Sequence, residues 1–215
     1  MLKLYLEIFD PERKKVFQKL KDFDKNGFLA GGTALALHIG HRISVDFDFF
    51  TEKEFNQNYF IQKITGLPLN FQSEKVEPGT VIGYLNKTKF SLFFYKYPVL
   101  AEAHKFLNLS ICDIKDIAPM KLAAISDRGV KRDFIDLYFI VAEKKLLTLQ
   151  EVFNLYDQKF KILNQNKTHI LKSLIYFDDA DEQQMPQMLK EVSWPKVKKF
   201  FEIETKRLVK KLSVF

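Results

Sequence analysis

Two aspartates stand in strict alternation with apolar residues in the run Ser44-Val45-Asp46-Phe47-Asp48-Phe49-Phe50. Side chains alternate across a strand, so this spacing puts the Asp46 and Asp48 carboxylates on one face and Val45, Phe47 and Phe49 on the other. Like charges held so close resist joint ionisation unless a cation neutralises them, and paired hard oxygens suit Mg²⁺ or Mn²⁺. A half-exposed edge strand with a solvated acidic face fits the same pattern. Just upstream, Gly31-Gly32-Thr33 follows the short apolar run Phe28-Leu29-Ala30 and opens an apolar stretch that ends at Gly40. Amides at a helix start, the positive end of its dipole and the missing Cβ atoms would favour close approach of a phosphate. The spacing is not that of a P-loop, and a glycine turn needing positive φ is the alternative.

A second group lies later in the chain. If residues 117–127 are helical, Lys121 and Arg128 are seven apart, close to two turns, and share a face. Asp133 and Asp136 are spaced i, i+3 on the next helix and can present together. The structural alternative is an i, i+4 ion pair between Arg132 and Asp136, with Arg128 capping carbonyls ahead of Gly129.

The elements that must carry these residues can be read from pattern. Asp10-Pro11-Glu12 is a helix start, and that helix should end near Asn26-Gly27. Strand 28–30, helix 33–39 and strand 44–50 follow. A helix over 54–65, a strand over 68–76 and two strands within 79–97, turning at Asn86-Lys87, complete a mixed region. After Pro98 the pattern predicts helices alone, over 114–127, 131–144, 148–163, 166–177 and 196–212, with Trp194-Pro195 breaking the last from its predecessor. The expectation is an α+β protein: residues 1–100 as one core, and residues 101–215 as a helical half packed on it, with the active cleft between them.

Taken together, the motifs resemble a known family. Gly31-Gly32-Thr33-Ala34-Leu35-Ala36-Leu37 followed by His41-Arg42-Ile43-Ser44-Val45-Asp46-Phe47-Asp48-Phe49-Phe50 closely resembles the first motif of the AbiEii/AbiGii-type toxins, members of the DNA polymerase β-like nucleotidyltransferase superfamily. Met120-Lys121-Leu122-Ala123-Ala124, through Arg128 to Arg132-Asp133-Phe134-Ile135-Asp136-Leu137, resembles the family's later block. The resemblance runs from about residue 10 to 145. It implies a polymerase β-like sheet with flanking helices. Gly31, Gly32 and Thr33 would hold a nucleotide's phosphates, and Asp46 and Asp48 a divalent metal. Ser44 matches a polar position beside them, and Arg42 could aid phosphate binding or pair with Asp46 or Asp48. Lys121 would contact the triphosphate, Arg128 would assist, and Asp133 or Asp136 would complete the acidic site.

One position departs from the pattern. Such enzymes carry a third carboxylate on a later strand, and Ser91 in Lys89-Phe90-Ser91-Leu92-Phe93-Phe94 stands where Asp is expected. A neutral hydroxyl is a poor replacement for a metal-bridging, base-like carboxylate.

Composition bounds the remainder. The 215 residues are 47% hydrophobic, enough for a sizeable core, and the 22 phenylalanines read as packing rather than as a stacking platform. One cysteine, Cys112, permits no internal disulfide. The first residues lack a signal-peptide pattern and no long apolar stretch occurs, so a cytoplasmic protein without membrane association is expected. His38, His104, His169 and Cys112 lack the spacing of a zinc site or a Cys-His nucleophile, and Asp178-Asp179-Ala180-Asp181-Glu182 lacks the features of a calcium loop. The net charge of +7 favours polyanionic partners, and residues 194–215 hold seven basic against two acidic side chains. That helix could follow a nucleic-acid backbone, with Val197, Phe200, Phe201, Ile203 and Leu208 as its apolar side.

The expected function is transfer of a nucleoside monophosphate from an NTP to an acceptor, tRNA or another RNA. The chain would act as toxin of a type IV toxin–antitoxin pair whose antitoxin is encoded elsewhere. A kinase-like phosphotransferase and a non-catalytic nucleotide- or RNA-binding protein are the alternatives.

Overall fold

The structure, a computed structural model, describes residues 4–20 and 27–212. Two compact units divide the chain, residues 1–113 and 114–215.

In the first unit a single 3-10 turn precedes α1 (Pro11–Leu20), which starts where Asp10 accepts the Arg13 amide at 2.8 Å. Its expected end near Asn26 lies outside the described residues. The order then runs β1 (Gly27–Leu29), α2 (Gly31–Ile39), β2 (Phe47–Thr51), α3 (Gln57–Thr65), β3 (Phe71–Glu77), β4 (Thr80–Leu85) and β5 (Thr88–Phe94). Two further strands, β6 (His104–Phe106) and β7 (Leu109–Ile111), were not expected. They form a hairpin whose turn includes Leu107 at φ 54°, a left-handed conformation rarely signalled by leucine. Helices alone therefore begin at Ile114 rather than after Pro98.

The seven strands are ordered β3-β4-β5-β2-β1-β7-β6. β2 and β5 are parallel, as are β1 and β7, whereas β1 and β2 are antiparallel, so the sheet is mixed. Phe47 and Phe49 alternate inward along β2 and are buried with Phe90 and Leu92 of β5. Phe17 of α1 stacks on Phe47 at 5.9 Å and Phe60 of α3 on Phe90 at 6.1 Å. Aromatic area buried at such contacts is what fastens helices to the sheet.

The second unit is helical: α4 (Ile114–Arg128), α5 (Lys131–Tyr138) running into a π-turn at 139–143, α6 (Leu149–Lys159), α7 (Lys167–Ser173), α8 (Asp178–Asp181) and α9 (Trp194–Leu212). Thr148 and Glu151 cap α6 reciprocally. Trp194 and Pro195 occupy the first turn of α9, where proline's missing N–H costs nothing. Phe134 of α5 meets Phe177, Trp194 and Phe201 at 5.3–5.9 Å and anchors α9 to the bundle. Residues 178–181 are a helical turn rather than a loop, and Asp181 accepts from the Trp194 indole at 2.5 Å and from Lys198 at 2.9 Å. Ile203, expected on the apolar side of the last helix, is 41% exposed, while Val197, Phe201 and Leu208 are buried.

Candidate active site

The glycine turn folds as its residues require. Ala30 is extended and donates to the Asp48 carbonyl at 2.9 Å, tying the end of β1 to β2. Gly31 then takes φ 68°, a left-handed value that costs an L-residue about 1–2 kcal/mol, and starts α2. The first intrahelical bond runs from the Ala34 amide to the Ala30 carbonyl at 3.4 Å, so the amides of Gly31, Gly32 and Thr33 precede the ladder. Orphan donors of this kind are the groups that bind anions at helix starts.

The side chains around this turn lock it in place. Thr33 is buried, and its hydroxyl meets Ser44 Oγ at 2.9 Å and the Asp46 carbonyl oxygen. Thr33 and Ser44, both assigned to phosphate through the resemblance, thus join α2 to the segment leading into β2. Arg42 is buried, with Nη1 donating to the Ile43 carbonyl at 2.9 Å. A Cβ added at Gly32 would strike the Arg42 guanidinium, and one at Gly31 would stand 3.4 Å from Asp48 Oδ2. Gly31 is required by its left-handed φ and Gly32 by the Arg42 guanidinium packed behind it, with the Asp48 carboxylate beside the turn.

Asp48 sits opposite Ser91 in the parallel β2–β5 register, and the serine hydroxyl donates to Asp48 Oδ1 at 2.5 Å. Oδ1 is thereby held from β5, and Oδ2 lies on the glycine-turn side. Asp46 precedes β2, which begins at Phe47, and Val45 is 37% exposed rather than inward-facing. The period-2 rule carries from Phe47 onward and breaks where the chain is tied to Thr33. Asp46 and Asp48 are both half-buried.

A metal at this place would find carboxylate oxygens with the Ser91 hydroxyl between strands, a hard donor set. Among the described residues no group of three His, Cys, Asp or Glu side chains is arranged to hold a metal ion. The fit is that of Mg²⁺, which takes one or two carboxylates and completes its shell with water and substrate phosphate oxygens.

The later motif forms its own cluster within the helical unit. Lys121 is 5% exposed, and its Nζ lies 2.8 Å from Asp133 and 2.6 Å from Asp136, both carboxylates fully buried. Arg128 donates through Nε at 3.1 Å and Nη2 at 2.8 Å to Asp133 Oδ2. The shared face of Lys121 and Arg128 and the joint presentation of Asp133 and Asp136 are both realised. Asp136 is bonded to Lys121, while Arg132 is exposed. The four side chains balance in charge, so the burial of two carboxylates is compensated.

Two groupings had no signal in the sequence. Asp116 and Lys159, 43 residues apart, form a fully buried ion pair at 2.5 Å between α4 and α6. In the sheet unit His38 Nε2 bonds the Cys112 carbonyl at 2.8 Å, and its ring stands 5.2 Å from that of His104, which meets Asp113 at 2.6 Å. Burial, aided by His104, lowers the His38 pKa from 6.5, against the raising effect of the Cys112 carbonyl and Asp113.

A mixed sheet flanked by helices, with a glycine turn at a helix start beside an Asp-x-Asp strand, defines a polymerase β-like nucleotidyltransferase fold. Residues 17–98 match the family described as nucleotidyl transferase AbiEii toxin, type IV toxin–antitoxin system. An uncharacterised protein of Aquifex aeolicus is 40% identical over 186 residues, spanning 83% of this chain and 86% of its own. The fold is similar to the JHP933 protein of Helicobacter pylori, with a TM-score of 0.58 and 18% identity over 98% of this chain and 95% of that one. It is also similar to MenT4, a nucleotidyltransferase toxin of Mycobacterium tuberculosis, with a TM-score of 0.55 and 13% identity over 91% and 84%. The chain belongs to the AbiEii family of nucleotidyltransferase toxins of type IV toxin–antitoxin systems. Among the described residues no helix is long and apolar enough to cross a membrane.

Proposed function

We propose that this enzyme transfers a nucleoside monophosphate from an NTP to an RNA acceptor, with Mg²⁺ or Mn²⁺ held by Asp46 and Asp48. The observation that carries the reading is the Asp48 carboxylate, fixed by Ser91 on one oxygen and set against the Cβ-less turn that opens α2. A triphosphate fits this geometry: the free amides of Gly31, Gly32 and Thr33 supply donors, and Arg42 supplies a buried positive charge behind them. A divalent ion held by Asp46 and Asp48 would supply Lewis-acid stabilisation of the charge that develops during phosphoryl transfer. The chain's own contribution is position: Thr33 and Ser44 hold the turn, and Ser91 holds Asp48.

Ser91 supplies no carboxylate to accept the proton of an attacking hydroxyl, so Asp46 or Asp48 takes that role. Lys121, Arg128, Asp133 and Asp136 join this reading through the family's later motif alone; within the helical unit they bond to one another. Acceptor RNA is supported by α9, where Lys199, Lys206, Lys210 and Lys211 make no ion pair among the described residues, while Lys196, Lys198 and Arg207 are paired with Glu143, Asp181 and Glu204. A toxin of this class acts in the cytoplasm and is held in check by an antitoxin from a separate gene.

The test is incubation of the purified chain with Mg²⁺, total RNA and each α-labelled NTP in turn. Label should enter RNA, EDTA should stop it, and Asp46→Ala and Asp48→Ala should abolish it while leaving the circular-dichroism spectrum unchanged. Transfer of γ-label instead would identify a phosphotransferase. Full activity in both aspartate variants refutes the proposal.

A further inference from the structure

The helical unit carries an open hollow of about 440 Å³ in its surface, lined mostly by exposed residues. It is lined by the last turn of α4 with Gly129, by His169, Lys172 and Ser173 of α7, by Ile175 and Tyr176, and by Asp179 of α8. A volume of this size lies in the range of about 300–1,000 Å³ typical of small-ligand sites.

Its lining makes three separate demands on an occupant. First, Arg128 and Lys172 provide positive charge, while His169 Nε2 is engaged with the Ser126 carbonyl at 3.3 Å. Arg128 is preorganised for this, because its Nε and Nη2 are fixed on the buried Asp133 carboxylate, leaving Nη1 uncommitted. Lys172 is exposed and makes no ion pair among the described residues. Second, the Tyr176 ring, 52% exposed, and Ile175, 45% exposed, offer a flat apolar surface that no neighbour covers completely. Third, Asp127 and Asp179 are acceptors only, and so ask for an N–H donor. Gly129, at φ 54°, keeps the wall open: a Cβ there would stand 3.6 Å from Asp179 Oδ2.

A simple anion meets the first demand and not the other two, and an apolar ligand meets only the second. A nucleotide whose base presents an N–H group meets all three, with phosphate on the cations, base on Tyr176 and N–H on a carboxylate. We propose that this hollow binds a nucleoside monophosphate, either free or as the terminal residue of a single strand, without any divalent metal. The site belongs to the helical unit and is independent of transfer at Asp46 and Asp48.

The test is calorimetric titration of the full chain in EDTA with AMP, CMP, UMP and ribose 5-phosphate, and with a 5′-phosphorylated adenine trinucleotide as competitor. AMP, CMP and UMP should bind saturably, with ribose 5-phosphate, which lacks both the stacking ring and its N–H donor, weaker by more than about tenfold. Lys172→Glu and Tyr176→Ala, both at exposed positions, should each weaken AMP by about tenfold or more, and Asp48→Ala should leave it unchanged. Displacement of AMP by the trinucleotide assigns the site to an RNA end, and failure to displace it assigns the site to free nucleotide. No saturable binding in EDTA overturns the proposal. So does binding that is lost in Asp48→Ala and kept in Lys172→Glu, or equal affinity for all four small ligands.

Discussion

Ser91→Ala isolates the feature that separates this site from one with three carboxylates. The serine is 3% exposed in the middle of β5, and its hydroxyl donates to Asp48 Oδ1 at 2.5 Å. Removing one oxygen from a strand residue leaves the backbone ladder untouched, so the change acts on the carboxylate. A hydrogen bond to a charged group contributes about 1.5–3 kcal/mol. If Asp48 must keep its orientation through the transfer, that loss appears in the barrier, and at about 1.4 kcal/mol per factor of ten it lowers kcat/KM by about 10- to 100-fold. The assay is the initial rate of label transfer from α-labelled NTP to RNA at saturating Mg²⁺, beside a urea unfolding curve for each protein. Ser91→Thr, which keeps the hydroxyl and suits a strand, should recover most of the rate. The reasoning fails if Ser91→Ala keeps more than about half of wild-type kcat/KM with an unchanged unfolding midpoint, since a bond worth ~1.5 kcal/mol cannot be absent from both readouts. It also fails if the threonine variant is as slow as the alanine variant.

Four further outcomes are expected. Gly31→Ala forces a Cβ into φ 68° and should lower unfolding free energy by about 1–2 kcal/mol in urea titration, with loss of transfer activity. Lys159→Met removes the cation paired with the fully buried Asp116 and should cost about 3–5 kcal/mol, whereas Asp116→Leu combined with Lys159→Met should regain most of it. Ser91→Asp places a second carboxylate against Asp48, so its melting temperature should fall in EDTA and rise on adding Mn²⁺ by more than the wild type's does. His38 has a folded-state pKa lowered chiefly by burial, so its neutral form favours the fold. Stability from this group is full above the unfolded value near 6.5 and is lost as pH falls through the lower folded value; His38→Gln should flatten urea midpoints measured across that window.

The parts of the molecule that were legible in advance are those specified by neighbours in sequence. Asp10-Pro11 announces α1, Asn86-Lys87 announces the β4–β5 turn, and Gly40 at φ 59° closes α2 as a C-terminal glycine should. The alternation through Phe47 and Phe49 located β2, and the i, i+7 and i, i+3 spacings paired Lys121 with Arg128 and Asp133 with Asp136, whereas the joining of the two pairs across α4 and α5 came only with the fold. Contacts between distant segments left no such trace. Nothing near Asp116 points to Lys159, and nothing near His38 points to Cys112 or His104. Leu107 adopts a left-handed turn that a glycine or asparagine would have signalled, which is why the β6–β7 hairpin was missed. Ser91 was read as a deficit because only its charge was considered. Its hydrogen bond to Asp48 depends on the parallel register between β2 and β5, which residue types alone do not fix.

That register bears on when, during synthesis, the candidate site is completed. β2 pairs with β1 on one edge, but its other edge waits for β5, which follows β3 and β4 in the chain. A nascent polypeptide ending before residue 88 already holds the glycine turn and both aspartates, yet the strand that steadies Asp48 has not been synthesised. Topology thus completes the candidate site late: translation must run on through the whole meander before Asp48 meets Ser91.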